Sequence, residues 1–179
     1  MVVIGDFSIG KSTLLRRFTS HDVFIPQLFS PPDYVQRLSE INEKIIKMII
    51  FDTIGREFNL NSLSNLLRRA NGIVLAYDIS NRESFGHLEY WKTLCDQNSL
   101  DHTAYVLVGL KKDLSEKREV RKEEGESLAK SFQIPFFEAS SYDNENVEIV
   151  FVTLAQNILS NPLFQKHTEP IISPHKKCL

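Results

Sequence analysis

The sequence predicts an α/β fold in which six strands form a mostly parallel sheet, one edge strand runs antiparallel, and helices cover both faces. Apolar runs of strand length alternate with stretches whose apolar residues recur at three- and four-residue spacing, the pattern of parallel strands joined by crossover helices. Asn42-Glu43 separates two adjoining strand-like runs as a hairpin turn would, which makes one edge antiparallel. A glycine-bounded loop, Gly5 to Ser12, stands between the first apolar run and the first helical one.

Val2–Gly5 is the first strand, a short Val and Ile run suited to burial on both faces; it begins abruptly, leaving room for a few residues before Met1. Gly5-Asp6-Phe7-Ser8-Ile9-Gly10-Lys11-Ser12 then fills every fixed position of the phosphate-binding pattern G-x-x-x-x-G-K-[ST]. Thr13-Leu14-Leu15-Arg16-Arg17-Phe18 continues as helix, so strand, loop and helix follow in the order of the P-loop NTPase fold. Tyr34–Ile41 and Lys44–Asp52 are the hairpin pair, and Gly72–Asp78, Ala104–Gly109 and Ile134–Glu138 complete the sheet. Phe85, Leu88, Trp91, Leu94 and Cys95 mark the buried stripe of one helix, and Val147, Val150, Phe151, Leu154, Ala155 and Ile158 that of another; both stripes read as core packing. Asp143-Asn144-Glu145-Asn146 supplies cap candidates before the second. After Ser160 the periodicity fades, and Pro162, Pro170 and Pro174 mark residues 161–179 as a flexible tail behind a single domain of residues 1–160.

At 179 residues, with 42% hydrophobic and 25% charged side chains, the chain has the size and composition of one domain with a core of its own. A formal net charge of −2 and dispersed Lys and Arg give no basis for nucleic-acid binding. The two cysteines, Cys95 and Cys178, cannot build a disulfide framework, and Cys95 beside Trp91 and Leu94 reads as a packed thiol of an intracellular protein. No apolar stretch is long enough to span a bilayer, no signal peptide precedes the first strand, and the five histidines lack metal-ligand spacing.

The chemistry of the loop dictates its residues. Glycines permit a tight turn that aims the backbone N–H groups of Asp6, Phe7, Ser8, Ile9, Gly10 and the following Thr13 at phosphates, while Lys11 reaches the outer phosphates and the Ser12 hydroxyl ligates Mg²⁺. A second metal carboxylate belongs at the end of a buried strand, where Asp52 closes Met48-Ile49-Ile50-Phe51; in Asp52-Thr53-Ile54-Gly55 the Gly55 N–H can meet the terminal phosphate. Base choice rests on Gly109-Leu110-Lys111-Lys112-Asp113-Leu114, because the Asp113 carboxylate can accept two N–H groups from a guanine edge and adenine offers none in that geometry. The expected ligands are GTP or GDP with Mg²⁺.

In this order along the chain, from Val2 to about Ser160, these residues resemble a Ras-superfamily small GTPase, most of all the Rab branch. Gly5–Ser12 is similar to the phosphate loop, Asp52-Thr53-Ile54-Gly55-Arg56-Glu57 to Asp-Thr-Ala-Gly-Gln-Glu, and Glu138-Ala139-Ser140-Ser141-Tyr142 to the Glu-Thr-Ser-Ala-Lys loop. Tyr77-Asp78-Ile79-Ser80 with Glu83-Ser84-Phe85, and Glu123-Glu124-Gly125 with Leu128-Ala129, resemble Rab proteins in particular. The resemblance implies that Lys111, Leu114, Ser140, Ser141 and Tyr142 surround the base, that Phe24 stacks on it, and that Ser30 lies near the switch threonine that ligates Mg²⁺. It implies Lys11, Gly55 and Arg56 at the hydrolytic centre, exchange factors and effectors as protein partners, and a role in vesicle transport. It also implies a geranylgeranyl lipid on Cys178 in Lys176-Lys177-Cys178-Leu179, which would hold a cytoplasmic protein on the cytosolic face of endomembranes.

Departures from the family pattern bear on mechanism. Phe7 and Ser8 stand where the family often has small residues or glycine, Leu110 replaces an asparagine that ties the base loop to the phosphate loop, and Pro31-Pro32 stiffens the switch segment. Tyr142 replaces a lysine in a loop that acts mainly through its backbone. Arg56 takes the place of the water-orienting glutamine and has donors only, so slow GTP hydrolysis is expected. Two function classes follow: a guanine-nucleotide switch, and a binding module without hydrolysis that holds nucleotide for structure or holds none. A P-loop kinase would need an acceptor site and a mobile lid, for which the sequence has no segment.

Overall fold

The computed structural model describes residues 1–19, 34–53 and 60–165. Its strands are β1 (Val2–Ile4), β2 (Tyr34–Ile41), β3 (Lys44–Asp52), β4 (Gly72–Asp78), β5 (Ala104–Leu110) and β6 (Phe136–Glu138), in one sheet of order β2-β3-β1-β4-β5-β6. The expected α/β sheet is present: β2 and β3 pair antiparallel at one edge, and every other pairing is parallel. At the hairpin Asn42 and Glu43 both take left-handed backbone, φ 52° and 62°, the twist that matches two right-twisted strands. Strand boundaries depart from the sequence reading only at ends: Gly5 turns out of β1, β5 runs on to Leu110 rather than ending at Gly109, and the last strand starts at Phe136 rather than Ile134.

Helices α1 (Lys11–Thr19), α2 (Leu60–Leu67), α3 (Arg82–Gly86), α4 (Leu88–Asn98), α5 (Lys122–Phe132), α6 (Val147–Ser160) and α7 (Pro162–Gln165) surround the sheet, with a 3₁₀ turn over Lys112–Lys117 after β5. Alternation along the strands divides the core in two. Val3, Val74, Ala76, Val106 and Val108 face α1 and α6, where Phe18 and Phe151 stack with centroids 4.2 Å apart. Val2, Ile73, Leu75, Tyr77 and Leu107 pack with Leu63 and Leu67 of α2, Trp91 and Cys95 of α4, and Ala129 of α5. Cys95 is fully buried, and burial pushes its thiol up to about 12, which makes it the inert core thiol that the sequence predicted.

Three local features differ from the sequence reading. The stripe from Phe85 to Cys95 belongs to two helices, because the chain breaks at His87, which ends α3 and begins α4. Asn146 occupies the cap position of α6 but in left-handed backbone, and its side-chain amide donates to the Glu138 carbonyl at 2.7 Å instead of capping the helix. Beyond Ser160 the chain adds the short helix α7, whose Phe164 packs on the core. Among the described residues no helix is long and apolar enough to cross a membrane.

Candidate functional site

Because β1, β3, β4, β5 and β6 are mutually parallel, their C-terminal ends lie along one edge of the sheet. The loop after β1, Asp52-Thr53 at the end of β3, Lys111–Leu114 after β5 and Ala139–Tyr142 after β6 therefore share that edge, where open α/β sheets bind ligands. Sequence segments separated by more than a hundred residues converge there.

The loop after β1 is shaped by its two glycines. Gly5 has φ +148° and lies against β4 so closely that a Cβ would stand 2.2 Å from the Ala76 carbonyl oxygen, and Gly10 has φ +109°. Buried Ile9 pins the loop to the core, while Phe7 is 63% exposed and Ser8 takes left-handed backbone at φ 65°. Lys11 is buried and its Nζ donates to the carbonyls of Gly5 at 2.8 Å and Asp6 at 2.5 Å, so its ammonium rests on the loop that would hold phosphate. Ser12 and Thr13 are half-buried in the first turn of α1, where helix N–H groups lack intrahelical partners. Asp52 is buried at the end of β3, in register with Val3, and the Thr53 hydroxyl donates to the Val3 carbonyl at 2.9 Å. Among the described residues no three His, Cys, Asp or Glu cluster as a metal cage. Ser12 and Asp52 are hard oxygen donors, a set that suits Mg²⁺ completed by phosphate oxygens and water.

On the other side, Asp113 is exposed after β5 and its Oδ1 accepts from the buried Ser140 hydroxyl at 2.7 Å. Ser140 therefore orients the carboxylate, while Leu114 is half-buried and Tyr142 is 70% exposed. Lys111, in left-handed backbone at φ 62°, pairs with Asp78 at 2.6 Å and donates to the Ser8 carbonyl at 3.2 Å, which joins the loop after β5 to the loop after β1. Leu110 is 1% exposed within the apolar core.

Several contributors were not visible in the sequence. Arg17 of α1 donates from Nε to the Ser141 carbonyl at 2.6 Å and from Nη2 to the Tyr142 carbonyl at 2.8 Å, fixing the loop after β6. Asp78 carries Lys111, and Lys112 pairs with Glu145 beside the same loop. Under it Arg118 grips the buried Glu138 with two bonds of 2.6 and 2.9 Å. Of the residues read from the sequence, Phe24, Ser30, Gly55, Arg56 and Cys178 lie outside the described residues.

The Ras family profile matches residues 1–160. Similar proteins include the Ras-related protein RIC1 of Oryza sativa subsp. japonica, 37% identical across 94% of this chain and 84% of that protein. The Ras-related protein Rab-8B of Bos taurus is 38% identical across 89% of this chain and 78% of its own length. The Ras-related protein RABA6b of Arabidopsis thaliana is 41% identical across 88% and 69%. With the fold, the phosphate loop and this extent of identity, the chain belongs to the Ras family of small GTPases and is related to Rab proteins.

Proposed function

We propose that the chain is a guanine-nucleotide switch of Rab type that binds GTP and GDP with Mg²⁺, hydrolyses GTP slowly, and acts in vesicle transport. The observation that carries the reading is the pairing of a phosphate loop with an Asp113 carboxylate oriented by Ser140 at the same sheet edge. In that arrangement Asp113 selects guanine, Lys111 and Leu114 flank the base, and the backbone after β6, held by Arg17, meets the guanine carbonyl. Lys11 leaves the Gly5 and Asp6 carbonyls for the outer phosphates, trading two neutral acceptors for a charged one. Ser12 and Asp52, with Ser30, would hold Mg²⁺, which when bound neutralises charge on the outer phosphates. Relatedness to Rab proteins supports exchange factors and effectors as partners, and supports a lipid on Cys178 with attachment to the cytosolic face of endomembranes.

A second reading, a nucleotide-holding module without hydrolysis, is favoured by one observation: Leu110 is sealed in the apolar core and offers the nucleotide loops no polar group. Thermal unfolding with nucleotide separates the possibilities. GTP or GDP with Mg²⁺ is expected to raise the melting temperature while ATP leaves it unchanged, since only a ligand of the folded state stabilises it. Equal stabilisation by ATP would refute the assignment of Asp113 to guanine, and phosphate release from bound GTP distinguishes the switch from the module.

A further inference from the structure

Asp6 lies second in the phosphate loop, and its two carboxylate oxygens are held from α4 and from the break before it. The Trp91 indole Nε1 donates to Oδ1 at 2.7 Å, and the His87 imidazole Nδ1 meets Oδ2 at 2.7 Å. Trp91 is 6% exposed, its ring built into the core, so it is a rigid anchor. His87 occupies the break between α3 and α4 and remains about half exposed to solvent. The backbone carbonyl of the same Asp6 shares the Lys11 ammonium with that of Gly5, so whatever holds Asp6 bears on where Lys11 rests. A carboxylate at this place repels an anionic ligand, and a proton on His87 would cancel that charge without disturbing the hydrogen bond.

We infer that Trp91 and His87 are positioning residues of the phosphate loop: Trp91 clamps Asp6, and protonated His87 offsets the Asp6 charge, so guanine nucleotide is held more tightly in mild acid than in mild base. The inference rests on the guanine-nucleotide reading above. Among the described residues the charged groups that act on the ring are Asp6 from the phosphate loop, through its hydrogen bond first and then its charge, and, more weakly, Glu83 from α3; both favour imidazolium and hold its pKa above the ordinary 6.5, against an opposing effect of burial that exceeds that of Glu83. A histidine raised in this way contributes in full below its ordinary value, and its contribution is lost as pH rises through the raised one. The change therefore falls on the alkaline side of about pH 6.5.

Trp91 is the chain's only tryptophan, so its fluorescence reports on the clamp itself, with or without nucleotide. In the ligand-free protein, Trp91 emission is expected to titrate with a midpoint above about 6.5, and the transition is expected to vanish in His87→Gln, which keeps a donor but not the charge. Release of GDP with Mg²⁺ is expected to be about three- to tenfold slower near pH 6 than near pH 8.5. It should be nearly independent of pH in His87→Gln and slow at both values in His87→Arg, which restores a permanent cation; each variant's melting temperature verifies folding. If His87→Gln keeps the same release profile as the unmodified protein, the positioning role is overturned. If GDP does not bind at any pH while the fluorescence transition is present and depends on His87, the guanine-nucleotide reading fails and the clamp stands.

Discussion

At Leu110 the loop after β1 and the end of β5 meet through carbon. Its side chain is fully buried, and its Cδ1 lies 3.9 Å from where a Cβ on Gly10 would sit, in a position where an asparagine would present an amide to the phosphate loop. The polar link between the loops comes from the next residue, whose ammonium donates to the Ser8 carbonyl. Leu110→Asn separates the two effects. Placing an amide in an apolar site and losing the leucine packing is expected to cost the ligand-free protein about 2–4 kcal/mol, read as a lower urea midpoint. Restoring a polar tie is expected to tighten GDP binding about tenfold, the size of one buried hydrogen bond. An unchanged dissociation constant would show that Lys111 already supplies the whole of that link.

Between elements, Arg17 is the strut that joins α1 to the loop after β6. Two charge-assisted bonds to backbone carbonyls hold the segment expected to face guanine, and neither bond lies in the helix core. Arg17→Ala is expected to weaken GDP binding about tenfold while leaving the ligand-free melting temperature within a few degrees. Calorimetric titration of a variant that binds as well as the unmodified chain would refute this. The sequence shows β1, β4 and β5 because each is a nearly continuous apolar run, and it shows the phosphate loop because spacing within eight residues is its whole content. It does not show Arg17, since its partners stand 124 and 125 residues away and the sequence places it only on the polar side of a helix. The break at His87 is hidden for another reason: apolar spacing continues across it from Phe85 to Leu88 and Trp91, and only the backbone reveals two helices. Asn146 has the residue type of a cap, yet its carbonyl partner on Glu138 competes for the amide.

Over the whole molecule, one rigid sheet edge gathers the loops, and the cycle depends on how the terminal phosphate is attacked. In phosphoryl transfer of this kind nearly all catalysis is positioning and charge stabilisation, so the residue that orients the water limits the rate. Arg56, which lies outside the described residues, follows Asp52-Thr53-Ile54-Gly55 at the place of the family's glutamine. A guanidinium donates hydrogen bonds and accepts none, so it cannot take one from the attacking water. Phe7 adds bulk in the phosphate loop itself, with 63% of its surface exposed, and is expected to crowd an arginine finger supplied by a partner. The opposing possibility is that Arg56 acts as an internal arginine finger, stabilising charge as the bond to the leaving phosphate breaks. A residue placed to orient water is poorly placed for that task. We therefore expect the unmodified chain to hydrolyse bound GTP more slowly than Arg56→Gln, by about tenfold or more, with Phe7→Gly adding to the gain when an arginine finger is supplied by a partner. Single-turnover phosphate release from preloaded protein measures both steps. Hydrolysis in the unmodified chain as fast as in Arg56→Gln would mean that water orientation is not what Arg56 has lost, and a rate that falls on replacing Arg56 would identify it as the finger.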